Sequence, residues 1–65
     1  SENVIAYKRY TEDEEIICLF NLGGMPAEEI LPYEDGILIW KSSGSVQIDQ
    51  THLTLQPYQA VMIKK

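Results

Sequence analysis

Ten carboxylates, one cysteine, one histidine, one tryptophan and four tyrosines are the side chains with which this 65-residue chain could do chemistry. Two carboxylates about 5–10 Å apart across a sugar ring would make a glycoside-cleaving pair. Here the acids crowd into turn-like stretches instead, Glu12-Asp13-Glu14-Glu15 and then Glu28, Glu29, Glu34 and Asp35. Turns are wet, and a catalytic acid or base works best in a cleft that excludes water. Four consecutive acids also lack the alternating ligands and the glycine of a calcium loop. Cys18 lies in the middle of the apolar run Ile16–Phe20, the setting of an inert core thiol rather than an electropositive, reactive one. His52 follows Thr51 at a strand edge and has no ligand or nucleophile at a useful spacing. No phosphate loop and no nucleophile elbow is present. The expectation is that these residues supply no catalytic group, no metal ligands and no cofactor site.

The aromatic residues carry a second possibility. Exposed Trp and Tyr rings stack on sugar faces, and Trp40 with Tyr7, Tyr10, Tyr33 and Tyr58 offers candidates. Tyr33, in a turn with Glu34 and Asp35, is the ring expected to be exposed. Tyr33 and Trp40 are therefore the residues for possible glycan stacking. The competing reading places Tyr7 and Trp40, which lie within apolar strands, in a core or an interface.

These side chains must be positioned by strands. Eight Ile, three Val and three Thr suit a pleated, half-buried surface. Val4–Tyr10, the polar turn Thr11–Glu14 and the run Ile16–Phe20 read as an antiparallel hairpin. Asn21–Pro26 is a connection, and Ala27–Leu31 a short edge strand guarded by Glu28-Glu29. After the turn Pro32–Gly36 comes Ile37–Trp40, then the loop Lys41–Gly44. Val46–Ile48 and His52–Leu55 are short strands around an Asp49-Gln50 turn. Tyr58–Ile63 is the last strand. The predicted fold is all-β, a small antiparallel β-sandwich, Greek-key-like, of six to seven short strands in one domain, residues 1–65.

Charge and size narrow the partners. Five Lys plus Arg against ten Asp plus Glu leave a net charge of −5, the wrong sign for a nucleic-acid partner. No apolar run reaches the roughly 20 residues that span a bilayer, so no membrane partner is expected. A single unpaired thiol favours a reducing, cytoplasmic location. A chain this short buries only about 60% of its unfolded surface, which makes for thin stability. Two strands, Ile16–Phe20 and Ile37–Trp40, also fail to alternate, although each strand of a sandwich has a wet face. An apolar outer face would be a partner site. With no initiator methionine and a Lys64-Lys65 end, the chain is expected to be a domain that leans on a larger neighbour.

The order of segments is similar to that of a known family. Ile5-Ala6-Tyr7-Lys8-Arg9-Tyr10, an acidic turn and Ile16-Ile17-Cys18-Leu19-Phe20-Asn21-Leu22 resemble the opening of the C-terminal β-domain of α-amylase-superfamily glycoside hydrolases. Leu53-Thr54-Leu55-Gln56-Pro57-Tyr58-Gln59-Ala60-Val61-Met62-Ile63 is similar to its close. The likeness runs from about Val4 to Ile63 and rests on order and spacing. One segment departs from it. Where the oligo-1,6-glucosidase type commonly has a Leu-Ser-Asn-Tyr-like stretch, this chain reads Leu38-Ile39-Trp40-Lys41-Ser42-Ser43.

The resemblance implies a parent α-glucosidase or maltogenic-amylase-like enzyme with an upstream (β/α)8 barrel acting on α-glucosidic bonds in carbohydrate metabolism. The barrel's catalytic residues lie outside this chain. The expected partner is that catalytic barrel in the same polypeptide, which the domain packs on and stabilises. Ile17, Leu19, Phe20, Leu38, Trp40 and Tyr58 are the residues for core or docking contacts. The rivals are an autonomous carbohydrate-binding module for α-glucans, built on Trp40 and tyrosines, and a small β-rich protein-interaction module.

Overall fold

The computed structural model describes residues 3–65. Seven strands run in the order β1 (Val4–Tyr10), β2 (Glu15–Asn21), β3 (Ala27–Ile30), β4 (Ile37–Lys41), β5 (Gln47–Asp49), β6 (His52–Leu55) and β7 (Ala60–Lys64). They form a four-stranded sheet, β1-β2-β7-β4, and a three-stranded sheet, β3-β6-β5. Every pairing is antiparallel. The all-β sandwich is therefore as expected from the strand pattern. Among the described residues no helix is long and apolar enough to cross a membrane.

The hairpin β1–β2 forms where the apolar runs meet across the acidic turn. Thr11 caps it: its Oγ1 accepts from Glu14 N at 3.0 Å while Thr11 N donates to Glu14 O at 2.9 Å. Elsewhere the chain crosses between sheets, through Asn21–Pro26, Leu31–Gly36, Ser42–Val46 and Gln56–Gln59. The central strands β2 and β7 of one sheet and β6 of the other carry the core. Ile17, Leu19, Val61 and Ile63 meet Leu53, Leu55 and Leu31 between the sheets. Leu38, Tyr33, Val4, Val46 and Ile48 pack around this cluster.

Three sequence expectations are corrected. The last strand starts at Ala60 rather than Tyr58, because Tyr58 turns the chain with φ at +57°. The strand expected at Val46–Ile48 runs one residue later, as Gln47–Asp49. Tyr33 is half-buried rather than exposed. Its ring lies against the position of Gly36, where an added Cβ would stand 3.1 Å from Tyr33 Cε2 and 2.7 Å from Ile63 Cγ2.

Candidate docking surface

Residues directly opposite in an antiparallel pair share a face, and successive residues alternate. Register therefore sorts the four-stranded sheet. Lys8, Ile17, Ile63 and Leu38 form one inward row. Tyr7, Cys18, Met62 and Trp40 form the neighbouring outward row. Ile5, Phe20 and Ala60 lie beyond it on the same outer face, and Arg9, Ile16, Lys64 and Ile37 on its other side. The wet side of this sheet is thus largely apolar, charged only along the Arg9–Lys64 row.

Two local features build that face. In β4 the pairing slips between Leu38 and Trp40, leaving Ile39 as an extra, bulged residue. Leu38 turns in against Ile63, and Trp40 turns out beside Met62. Across the sheet, the Tyr7 and Phe20 rings stack with centroids 6.1 Å apart and planes 15° from parallel. Cys18 lies between these elements, fully buried though on the outer face. The Cys18 thiol pushes the Tyr7 phenol above its ordinary pKa through a side-chain hydrogen bond and charge; desolvation adds to this and Arg9 opposes it.

The six residues named for core or docking contacts divide three ways. Ile17 and Leu19 are buried in the central cluster, and Leu38 packs on it. Phe20 and Trp40 stand on the outer face, Phe20 half-buried and Trp40 47% exposed. Tyr58 is on neither; it projects from the β6–β7 turn and is 72% exposed. Tyr33, named for glycan stacking, has its hydroxyl 3.5 Å from Ile63 O and Lys65 Nζ 5.9 Å from its ring centroid. Burial, and then Glu15, raise its pKa. Cys18 and His52 sit on different sheets. Among the described residues no group of three or more His, Cys, Asp or Glu side chains is placed to hold a metal ion.

The two ends of the sandwich differ. The turn Thr11–Glu14, the connection Leu31–Gly36 and the β5–β6 turn share one end; Leu31 N donates to Thr51 O at 2.7 Å. Glu12, Asp13, Glu14, Glu34 and Asp35 belong to it. The other end is made by Asn21–Pro26, Ser42–Val46 and Gln56–Gln59, which contain no charged residue.

Two buried amides tie that neutral end together. Asn21 Nδ2 donates to Met25 O and Gln56 O at 2.8 and 3.0 Å, and its Oδ1 accepts from Gly23 N at 2.9 Å. Gln59 Nε2 donates to Ser43 O and, at 3.1 Å, to Ser45 O, while its Oε1 accepts from Gln56 N at 2.9 Å. The sequence assigns no structural role to the Gln59 side chain and places Asn21 at the start of a connection. The one available signal was a lone amide beside an apolar run. The outward Ile5, Ile37 and Ile39 were also missed, since composition does not say which apolar residues face out.

Residues 4–62 match the family model of the alpha-amylase SusG C-terminal domain. The chain belongs to that family. It is an accessory, C-terminal domain of an α-amylase-superfamily enzyme, as the order of its segments implied. Among solved structures it is similar to a mutant of MutB crystallised in complex with the substrate sucrose, with 25% identity and a TM-score of 0.81. That match covers 98% of this C-terminal domain and 12% of the MutB chain, so the domain spans about an eighth of that protein's length. No curated protein matches the chain.

Proposed function

We propose that this domain packs the outer face of its four-stranded sheet onto the catalytic barrel of the same polypeptide and stabilises it. The parent is an α-amylase-like glycoside hydrolase acting on α-glucosidic bonds, and these residues supply none of its catalytic groups. The observation that carries the reading is the outward row Tyr7, Cys18, Met62 and Trp40, flanked by Ile5, Ile37 and Ile39, all three exposed. Exposed apolar patches of that kind mark contact sites. A C-terminal domain has the rest of its own enzyme as the nearest surface, and inter-domain contacts typically bury about 600–1,500 Å². The buried free thiol of Cys18 suits a cytoplasmic, reducing location.

The experiment is a double substitution, Tyr7→Ser with Trp40→Ser, in the full-length enzyme. The expected result is a lower midpoint for thermal inactivation with kcat unchanged at moderate temperature. An unchanged midpoint would sink the reading.

The same two rings favour a second reading, glycan stacking. Three strand spacings place Tyr7 and Trp40 ~14 Å apart, a span that suits several sugar units. Tyr33 does not join them, because its hydroxyl faces Ile63 and Lys65 lies over its ring. Titration of the full-length enzyme with maltoheptaose, followed by Trp40 fluorescence, separates the two. Saturable quenching lost in Trp40→Phe supports stacking.

A further inference from the structure

The loops at the neutral end of the sandwich are tied together by side-chain hydrogen bonds. Asn21 and Gln59 spend their side-chain hydrogen-bonding groups on the backbones of three different loops. The backbone N of Asn21 also donates to the backbone O of Gln59 at 2.9 Å, tying the main chains of the two residues together. What they hold in place is apolar and outward-facing: Leu22 at 57%, Met25 at 76% and Tyr58 at 72% exposure.

Tyr58 is held in a conformation that costs energy. A non-glycine residue at φ +57° is in the left-handed region, which disfavours a side chain. Its N–H donates to Gly23 O at 3.2 Å, and its hydroxyl comes so near Gly24 that a Cβ there would lie 3.2 Å from it. The ring is thereby laid along the Gly23-Gly24 loop with its outer side bare. Strained, well-anchored residues of this kind concentrate at functional positions. A fixed, exposed aromatic ring at an end that also presents Leu22 and Met25 and carries no charge has the make-up of an interface hot spot.

The position of the patch names its occupant. Leu22 N donates to Asn3 O at 2.7 Å, so the polypeptide enters the domain at this end, beside Leu22. The acidic turns lie at the far end. In a C-terminal domain, the part of the enzyme that precedes it arrives where Leu22, Met25 and Tyr58 are presented.

We infer that Leu22, Met25 and Tyr58 form a second contact with the preceding catalytic domain, with Tyr58 as its anchor ring. This rests on the docking reading above and adds a surface to it. Hydroxyl-radical footprinting of the sugar-free, full-length enzyme tests it, each residue's rate being divided by its rate in the urea-unfolded enzyme. Tyr10, 67% exposed at the end of β1 beside the acidic turn, is the internal reference.

The expected result is several-fold protection of Met25 and Tyr58 with Tyr10 close to unprotected. Met25 and Tyr58 as reactive as Tyr10, with Tyr7 and Trp40 protected, would overturn this contact and leave sheet-face docking standing. Met25 and Tyr58 protected while Tyr7 and Trp40 react freely would keep the end contact and remove the sheet-face one. All four reactive would remove both. Protection that disappears on dilution would assign the patch to a second copy and overturn the inference.

Discussion

Leu38 and Trp40 are two residues apart on β4 and yet face opposite sides of the sheet, because the register slips between them. Leu38 lies opposite Ile63 in the core and Trp40 opposite Met62 on the outer face. In a regular strand, residues two apart share a face. The bulge at Ile39 therefore decides that the largest side chain of the chain is presented outward.

That geometry predicts an asymmetric response. Leu38→Ala should destabilise the domain by about 1–3 kcal/mol, the loss of a partly buried core side chain. Trp40→Ser should change the domain's own stability by less than about 1 kcal/mol, as exposed substitutions usually do. Urea denaturation of the two variants measures both. Equal losses would mean that Trp40 packs as core.

Asn21 and Gln59 should be among the least replaceable polar residues. Asn21→Leu leaves Met25 O, Gln56 O and Gly23 N without their partner and should cost about 2–4 kcal/mol. Gln59→Glu removes the donor that serves Ser43 O and Ser45 O and sets a carboxylate against two carbonyls. Burying an uncompensated charge should cost about 3–5 kcal/mol. That loss should shrink at low pH, where the new carboxyl takes up a proton and can donate again. A pH series of melting curves reads the recovery.

Gly36 has no room for a side chain. A Cβ at that position meets Ile63 Cγ2 at 2.7 Å, a methyl on a fully buried residue of the central strand. Gly36→Ala should cost about 1–3 kcal/mol by overpacking, and it should cost less in an Ile63→Ala background, where the Cγ2 methyl is gone. The double-mutant cycle is the measurement, and strictly additive losses would contradict the contact.

Tyr33 gives the domain an alkaline limit. Burial and Glu15 raise its folded-state pKa above the ordinary 10.0. Its contribution to stability is complete below pH 10 and is lost as pH rises through the folded-state value, because the unfolded chain gives up the proton first. Tyr33→Phe should flatten that part of the stability–pH curve while leaving neutral stability within about 1 kcal/mol. Chemical denaturation between pH 8 and pH 11 (roughly the window in which tyrosine ionises) tests the difference.

The parts of this fold that were legible in the sequence are those set by neighbouring residues. The β1–β2 hairpin follows from two apolar runs across Thr11–Glu14, and β3 and β6 fall close to where their apolar residues and flanking turns put them. Tyr58 was misplaced because its neighbours Ala60, Val61 and Met62 continue a strand-like pattern toward it. What stops the strand is the left-handed φ of +57° at Tyr58, which turns the chain. Glu34 and Asp35 flank Tyr33, and local sequence alone therefore places its ring in solvent. Its ring is drawn inward by Ile63, thirty residues away.

By itself the sequence determined the all-β class, the hairpin, the acidic character and the resemblance to α-amylase C-terminal domains. Each is written in local composition, alternation or segment order. It also showed, through Ile16–Phe20 and Ile37–Trp40, that some strands carry more apolar surface than one core face can use. Tertiary structure alone decided which of those residues turn outward. Facing depends on register and on one bulge, and shifting a strand by a single residue exchanges its two faces without changing its composition. It also decided that Leu22, Met25 and Tyr58 lie at one end, because loops far apart in sequence are joined there by two buried amides.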